Sequence, residues 1–205
     1  MAAQPDRVGR HTVKLDDGTS MRLYRQTVED FGLYPGKELE EAEFNRLQAA
    51  AGLMSAKMRA VRIISASSVS KGDLQRRLIE KGENRQDAQK AVAWLAEMDL
   101  LDDRKTAEQV VQTCIAKGYG RSRAKQALFE KRIPKEDWDE VLENYPDQTD
   151  KILAFLQKRL KEEWSEKDLR KATDALLRRG HSYQQIRRAL EEFSQSADLQ
   201  EDMYG

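Results

Sequence analysis

The residues of this chain best suited to chemistry are cations. In "KGYGRSRAKQALFEKR", Lys117, Arg121, Arg123, Lys125, Lys131 and Arg132 stand against a single acid, Glu130, and Tyr119 adds an aromatic ring. A second concentration comprises Arg170, Lys171, Arg178, Arg179, Arg187 and Arg188, with Arg178 and Arg179 directly before a Gly turn. Ammonium and guanidinium groups gathered in this way bind phosphates or acidic protein surface. A solvated helix face with i,i+4 partners accounts for single residues of this kind, but the local excess points to partner or DNA binding.

Reactive groups are not assembled alongside them. His11 and His181 have no companions at metal-ligand or triad spacing and are assigned structural roles. Gly118-Tyr119-Gly120 lacks the lysine and the strand-to-helix setting of a phosphate loop and reads as a helix terminator. Asp102 and Asp103, which would suit Mg²⁺ in another setting, stand where a helix begins, and their charge complements its positive end. The single cysteine, Cys114, lies on the helix face "AEQVVQTCIAKG" and reads as a packing residue. No catalytic residue, metal or cofactor is expected, and the chain reads as a non-enzyme.

Composition narrows the classes further. The 36 basic and 36 acidic residues cancel, so no net field draws the whole molecule to DNA or membrane, and electrostatic binding must be local. Acids balance the cations elsewhere, chiefly in "KELEEAE" and "LEEFSQSADLQED". Charged residues make up 35% of the chain, against about 25% in an average domain. Short helical modules, each burying one narrow apolar stripe, produce such a surplus. The N-terminus has no apolar leader core, and no long apolar run occurs, so a cytoplasmic chain without a membrane partner is expected.

Tandem helices must then position the cations. Aligning Leu78, Leu128 and Leu176 without gaps reveals three copies of one helix-turn-helix pattern, 50 and 48 residues apart. Leu74, Ala124 and Ala172 precede these anchors; Ala88, Trp138 and Ile186, then Val92, Leu142 and Leu190, then Leu95, Tyr145 and Phe193 follow in register. Lys81-Gly82, Lys131-Arg132 and Arg179-Gly180 form the turns, where glycine suits the left-handed position after a helix. Asn84 with Asp87, and Ser182 with Gln185, read as N-cap pairs, and Pro134 opens the middle copy's second helix. Further helices over "DDRKTAEQVVQTCIAKG" and "TDKILAFLQKRLKEE" extend each unit to three, and Ser165 with Asp168 caps the helix that opens the third unit.

Before the repeats, "HTVKLDDGTSMRLYRQTV" places alternating residues around Asp17-Gly18, the signal of a β-hairpin. A helical stretch with a possible break at Gly52 joins it to the repeats. The predicted fold is mainly α: an elongated tandem array of three-helix repeats with a small N-terminal β-hairpin extension. Its expected divisions are the hairpin extension (1–36), a connecting helical segment (37–66), repeat 1 (67–118), repeat 2 (119–164), repeat 3 (165–193, its own third helix weak or absent) and a polar, frayed tail (194–205).

Taken in order, "SVSKGDLQRRLIEKG", "AVAWLAEMDLLDDRKTAEQVV", "KGYGRSRAKQALFEKRIPKEDWDEVL" and "ALLRRGHSYQQIRRAL" resemble the RecX family of recombinase regulators over about residues 67–193. Two positions depart from the family's usual residues: Thr106, where an aromatic is common, and His181, where Phe often follows the Arg-Arg-Gly. The resemblance implies a non-enzymatic protein of homologous recombination, DNA repair and the SOS response, and a monomer is expected. Such a protein binds RecA recombinase filaments on single-stranded DNA, in their helical groove, and restrains ATP hydrolysis, strand exchange and growth. The competing reading is a protein that binds single- or double-stranded DNA directly through its arginine-rich helical faces. A helix-turn-helix base reader is disfavoured because the second helices start "NRQD", "PKED" and "SYQQ", with no shared readout chemistry.

Overall fold

The Asp17-Gly18 turn forms as its residues dictate. Gly18 adopts a φ of +85°, and Asp17 Oδ1 accepts hydrogen bonds from the Thr19 backbone N–H at 2.8 Å and its hydroxyl at 2.6 Å. The turn joins strands β1 (Arg10–Lys14) and β2 (Ser20–Tyr24), antiparallel with Val13 opposite Met21 and His11 opposite Leu23. The computed structural model describes residues 4–160 and 164–204. Helix α1 (Arg25–Asp30) follows β2 at once. Sequence analysis did not anticipate it, because six residues are too few to display a helical period. Leu23, Val28 and Leu47 close a small core beneath the hairpin.

The remaining elements are helices α2 (Glu41–Ala66), α3 (Lys71–Glu80), α4 (Arg85–Glu97), α5 (Asp103–Ala116), α6 (Arg121–Glu130), α7 (Trp138–Glu143), α8 (Thr149–Arg159), α9 (Glu166–Arg178) and α10 (Tyr183–Tyr204). A 3₁₀ turn at Lys135–Asp137 precedes α7. Several of their starts carry predicted caps. Asn84 caps α4 by accepting from the Gln86 N–H at 2.8 Å, and Asp102 caps α5 by accepting from the Lys105 N–H at 2.9 Å. Ser165 and Asp168 form a capping box on α9. Ser182 accepts from the Gln185 N–H at 3.2 Å while Gln185 accepts from the Ser182 N–H at 3.0 Å. The expected end of the helix over residues 149–163 lies partly outside the described residues.

Burial matches the register of the repeats but shifts their boundaries. Leu78, Leu128 and Leu176 are fully buried, each in a separate core. Ala56 and Ala60 of α2 complete the first with α3 and α4. Ala107, Val111 and Cys114 of α5 complete the second with α6 and α7. Ile152, Leu156 and Leu160, from α8 and its C-cap, complete the third with α9 and α10. The third helix of each triple therefore precedes the matched pair rather than following it, and the boundaries expected at residues 67–118, 119–164 and 165–193 move accordingly. Segment 37–66 is not a mere connector, because α2 is the first helix of the first triple. Repeat 3 is complete, with α8 as its third helix. Gly52 does not break α2; a methyl group there would lie 2.6 Å from Asp87 Oδ2. Helix α10 continues to Tyr204 instead of ending at Phe193, since no glycine or proline interrupts residues 194–204.

The chain divides into two compact units between Leu101 and Asp102. The hairpin and α1–α4 make the first, and α5–α10 the second. The middle turn departs from its counterparts, because Arg132 holds a φ of +53° where Gly82 and Gly180 hold +89° and +85°. A side chain in that region is strained, which glycine's greater chain entropy offsets only in part. Arg132→Gly is therefore expected to stabilise the protein by about 0.5 kcal/mol, read as a higher urea midpoint; a lower midpoint would show that the arginine makes a compensating contact.

Candidate functional site

Two glycine turns of the second unit dock backbone to backbone and bring the start of α6, with Arg121 and Arg123, beside the end of α9, with Arg178 and Arg179. The Gly120 N–H donates to the Arg179 carbonyl at 2.9 Å, and the Ser122 N–H to the Gly180 carbonyl at 3.3 Å. A methyl group at Gly120 would lie 2.1 Å from Gly180 O, and one at Gly180 would lie 2.3 Å from Arg123 N. Only hydrogen fits at either position. "KGYGRSR" and "LLRRGHS" are thus two halves of one junction, where sequence analysis saw a helix terminator and a separate turn.

His181 seals this junction. It is buried, and its Nε2–H donates to the Gly118 carbonyl at 3.1 Å, while Nδ1 has no partner among the described residues. Burial, the main cause, and the nearby Arg179 charge hold its pKa below the ordinary imidazole value. As pH falls through about 6.5, the unfolded chain takes up a proton that the folded state refuses, so stability present above that pH is lost below it. The depressed carboxylates Asp102, Asp147 and Asp168 act in a separate, more acidic window below 3.8. The urea midpoint is expected to fall between pH near 7.5 and pH near 5.5, and His181→Phe to flatten that slope. An equal slope in the variant would remove His181 as its source.

Around the junction the cations take distinct positions. Arg121 is the first residue of α6, and Lys117 caps the C-terminus of α5; both are exposed, as is Lys125. Arg123 is half-buried and paired with Glu130 at 2.9 Å. Arg178 ends α9 exposed, and Arg179 stacks on the Phe155 ring at 4.8 Å. Lys131 and Arg132 follow the opposite end of α6, about 15 Å along its axis from Arg121 by helical rise. Arg170 and Lys171 lie in the first half of α9, where Lys171 pairs with Asp168 at 3.4 Å. Arg187 and Arg188 lie on α10, and Arg187 pairs with Glu191 at 3.0 Å.

Tyr119 is not an exposed aromatic. Its ring packs against the core of the second triple, and its carbonyl accepts the Tyr145 hydroxyl at 2.6 Å. Burial pushes that Tyr145 hydroxyl up to a pKa of about 12, so it remains a donor. Conversely, Arg159 was passed over in the sequence as part of a filler helix. It lies 5.8 Å from the same Phe155 ring and lines a groove with Asp168, Lys171 and Arg178 over Ala172 and Ala175. The Phe155–Arg159 spacing of one helical turn was the signal that could have found it.

Helix α6 makes this electrostatically uncommon. Its first turn contains no acid, and it carries Arg121 and Arg123 at the end where the helix dipole is already positive. The Gly120 and Ser122 N–H groups are occupied by the other turn and the Arg123 N–H by the Gly120 carbonyl, so the arginine side chains are the main donors an anion would meet there. Among the described residues no cluster could hold a metal ion and no helix is long and apolar enough to cross a membrane.

Comparison with known proteins agrees with this architecture. Residues 102–142, which span α5 to α7, match the second three-helix domain of RecX. The chain is 31% identical over 134 residues to the regulatory protein RecX of Stenotrophomonas maltophilia (strain R551-3), covering 64% of this chain and 82% of that one. It is 25% identical over 187 residues to the regulatory protein RecX of Clostridioides difficile (strain 630), with 88% of each covered. A crystal structure of a regulatory protein RecX shares the fold, with a TM-score of 0.65 at 21% identity over 92% of this chain and 96% of that one.

Proposed function

The chain belongs to the RecX family of regulatory proteins, and from that membership we propose that it binds RecA recombinase filaments on single-stranded DNA and restrains their ATPase, strand exchange and growth. The observation that carries this reading is the junction of the two glycine turns, which sets Arg121 near Arg178 and Arg179 beside the acid-free start of α6. Cations at a helix N-terminus cost about 0.3–1 kcal/mol each. An anionic partner would recover that cost on binding. Tandem helical triples also supply several contacts to a repeating partner, so modest affinities combine. The protein acts without catalysis, in the cytoplasm, as a monomer.

Direct DNA binding is the second reading, favoured by the same exposed arginines and by the groove where Arg159, Lys171 and Arg178 outnumber the single acid Asp168. It requires tight binding to bare DNA that collapses steeply as salt rises. Affinity for recombinase filaments and for bare single-stranded DNA, measured side by side at two salt concentrations, separates the readings. The filament reading predicts preference for the filament at both. Equal affinity for bare DNA would replace it with the second.

A further inference from the structure

Each anchor leucine is followed by a large apolar residue that faces solvent: Ile79 is 41% exposed, Phe129 68% and Leu177 43%. The three are penultimate residues of α3, α6 and α9, and in each case the helix is then capped by a cation, Lys81, Lys131 or Arg179. The cations were already legible in the turns of the three copies; the apolar residue before them was not. The next position along a helix lies about 100° around the axis from the buried leucine, pointing away from the core. Large apolar area remains in water there, most of all at Phe129, and none of the three belongs to the buried core. A single exposed apolar side chain is ordinary, but recurrence at one register position in all three copies is a pattern. The C-cap cation has its own explanation in the helix dipole; the apolar residue does not.

We propose that Ile79, Phe129 and Leu177 are equivalent apolar anchors that enter equivalent pockets on identical subunits of a helical protein polymer, each pocket bearing acidic groups at its rim. The proposal rests on the filament reading above and names the residues that make it. Repetition of the same apolar-then-cationic pair selects a partner that itself repeats, since a single subunit offers one such pocket. Nucleic acid is a poorer match, because its bases would stack on Phe129 but not on the aliphatic Ile79 and Leu177. The cations supply charge complementarity and the apolar side chains supply the desolvated contact, as at the centre of other interfaces.

The full-length chain carrying Ile79→Ala, Phe129→Ala and Leu177→Ala, singly and combined, is titrated onto recombinase filaments assembled on single-stranded DNA. Each single change is expected to weaken binding about tenfold, and the triple at least about a hundredfold. Phe129→Leu should retain most of the affinity. The unfolding midpoint should stay near wild type for Phe129→Ala, whose side chain is mostly exposed, and fall only modestly for Ile79→Ala and Leu177→Ala, which lie outside the buried core; binding to bare DNA should be unchanged. If the wild type binds filaments and the triple variant binds equally well, the anchors are overturned while the filament reading stands. If the wild type does not bind filaments, that reading falls and the anchors fall with it.

Discussion

Gly180→Ala is expected to destabilise the protein by about 3 kcal/mol or more, whereas Gly82→Ala, at the same register position, should cost about 1 kcal/mol. The two glycines have nearly the same backbone, with φ of +85° and +89°, so the left-handed penalty is common to both. Their surroundings differ. A methyl group at Gly82 meets nothing within 4 Å, but at Gly180 it would lie 2.3 Å from Arg123 N and 2.6 Å from Arg123 Cβ. Those are backbone-linked atoms that no rotamer change can withdraw, so the two turns must part and forfeit their hydrogen bonds. Gly120→Ala should be similarly costly, because its methyl group would lie 2.1 Å from Gly180 O. Urea unfolding of the variants decides the matter. Equal losses at Gly82 and Gly180 would show that backbone strain alone governs these positions and that the docking of the turns is not rigid.

The second large effect falls on binding. Reversing Arg121 and Arg178 together, as Arg121→Glu with Arg178→Glu, is expected to reduce filament affinity about a hundredfold, with little change in the unfolding midpoint. Both are exposed and neither has an ion-pair partner among the described residues. Their removal therefore leaves no buried acid unpaired. Arg187→Glu is the comparison. That arginine already pairs with Glu191, and its reversal should weaken binding less. The difference should shrink as salt rises, since exposed charges are screened. Undiminished filament binding by the double variant would remove the junction cations from the interface.

The repeat was legible because its core positions recur without gaps: Leu74, Ala124 and Ala172, then Leu78, Leu128 and Leu176, are all buried as the register requires. The phase of the triples was not. Helices α5 and α8 are each separated from both neighbouring pairs by links only a few residues long, so sequence spacing gives no reason to assign them forward rather than back. Side-chain packing decides, through Val111 and Cys114 against Leu128, and Ile152 and Leu156 against Leu176.

At the site, the local cation excess was visible, but the reason for two glycines so far apart was not. Gly120 and Gly180 meet only in three dimensions, and each taken alone reads as an ordinary turn residue. Tyr119 was misplaced for the opposite reason, because an aromatic beside a glycine in a basic stretch gives no sign that its ring turns inward. His181 was rightly given a structural role, though its partner, the Gly118 carbonyl, lies in the other half of the junction.

The central claim, that this protein acts on recombinase filaments, is tested most directly by the DNA-dependent ATPase of filaments preassembled on single-stranded DNA while the protein is titrated in. Loss of ATPase at less than one molecule per recombinase subunit, with weak binding to bare DNA, is the predicted result. Undiminished ATPase together with tight binding to bare DNA would contradict it and make the arginine-rich junction a DNA-binding surface instead.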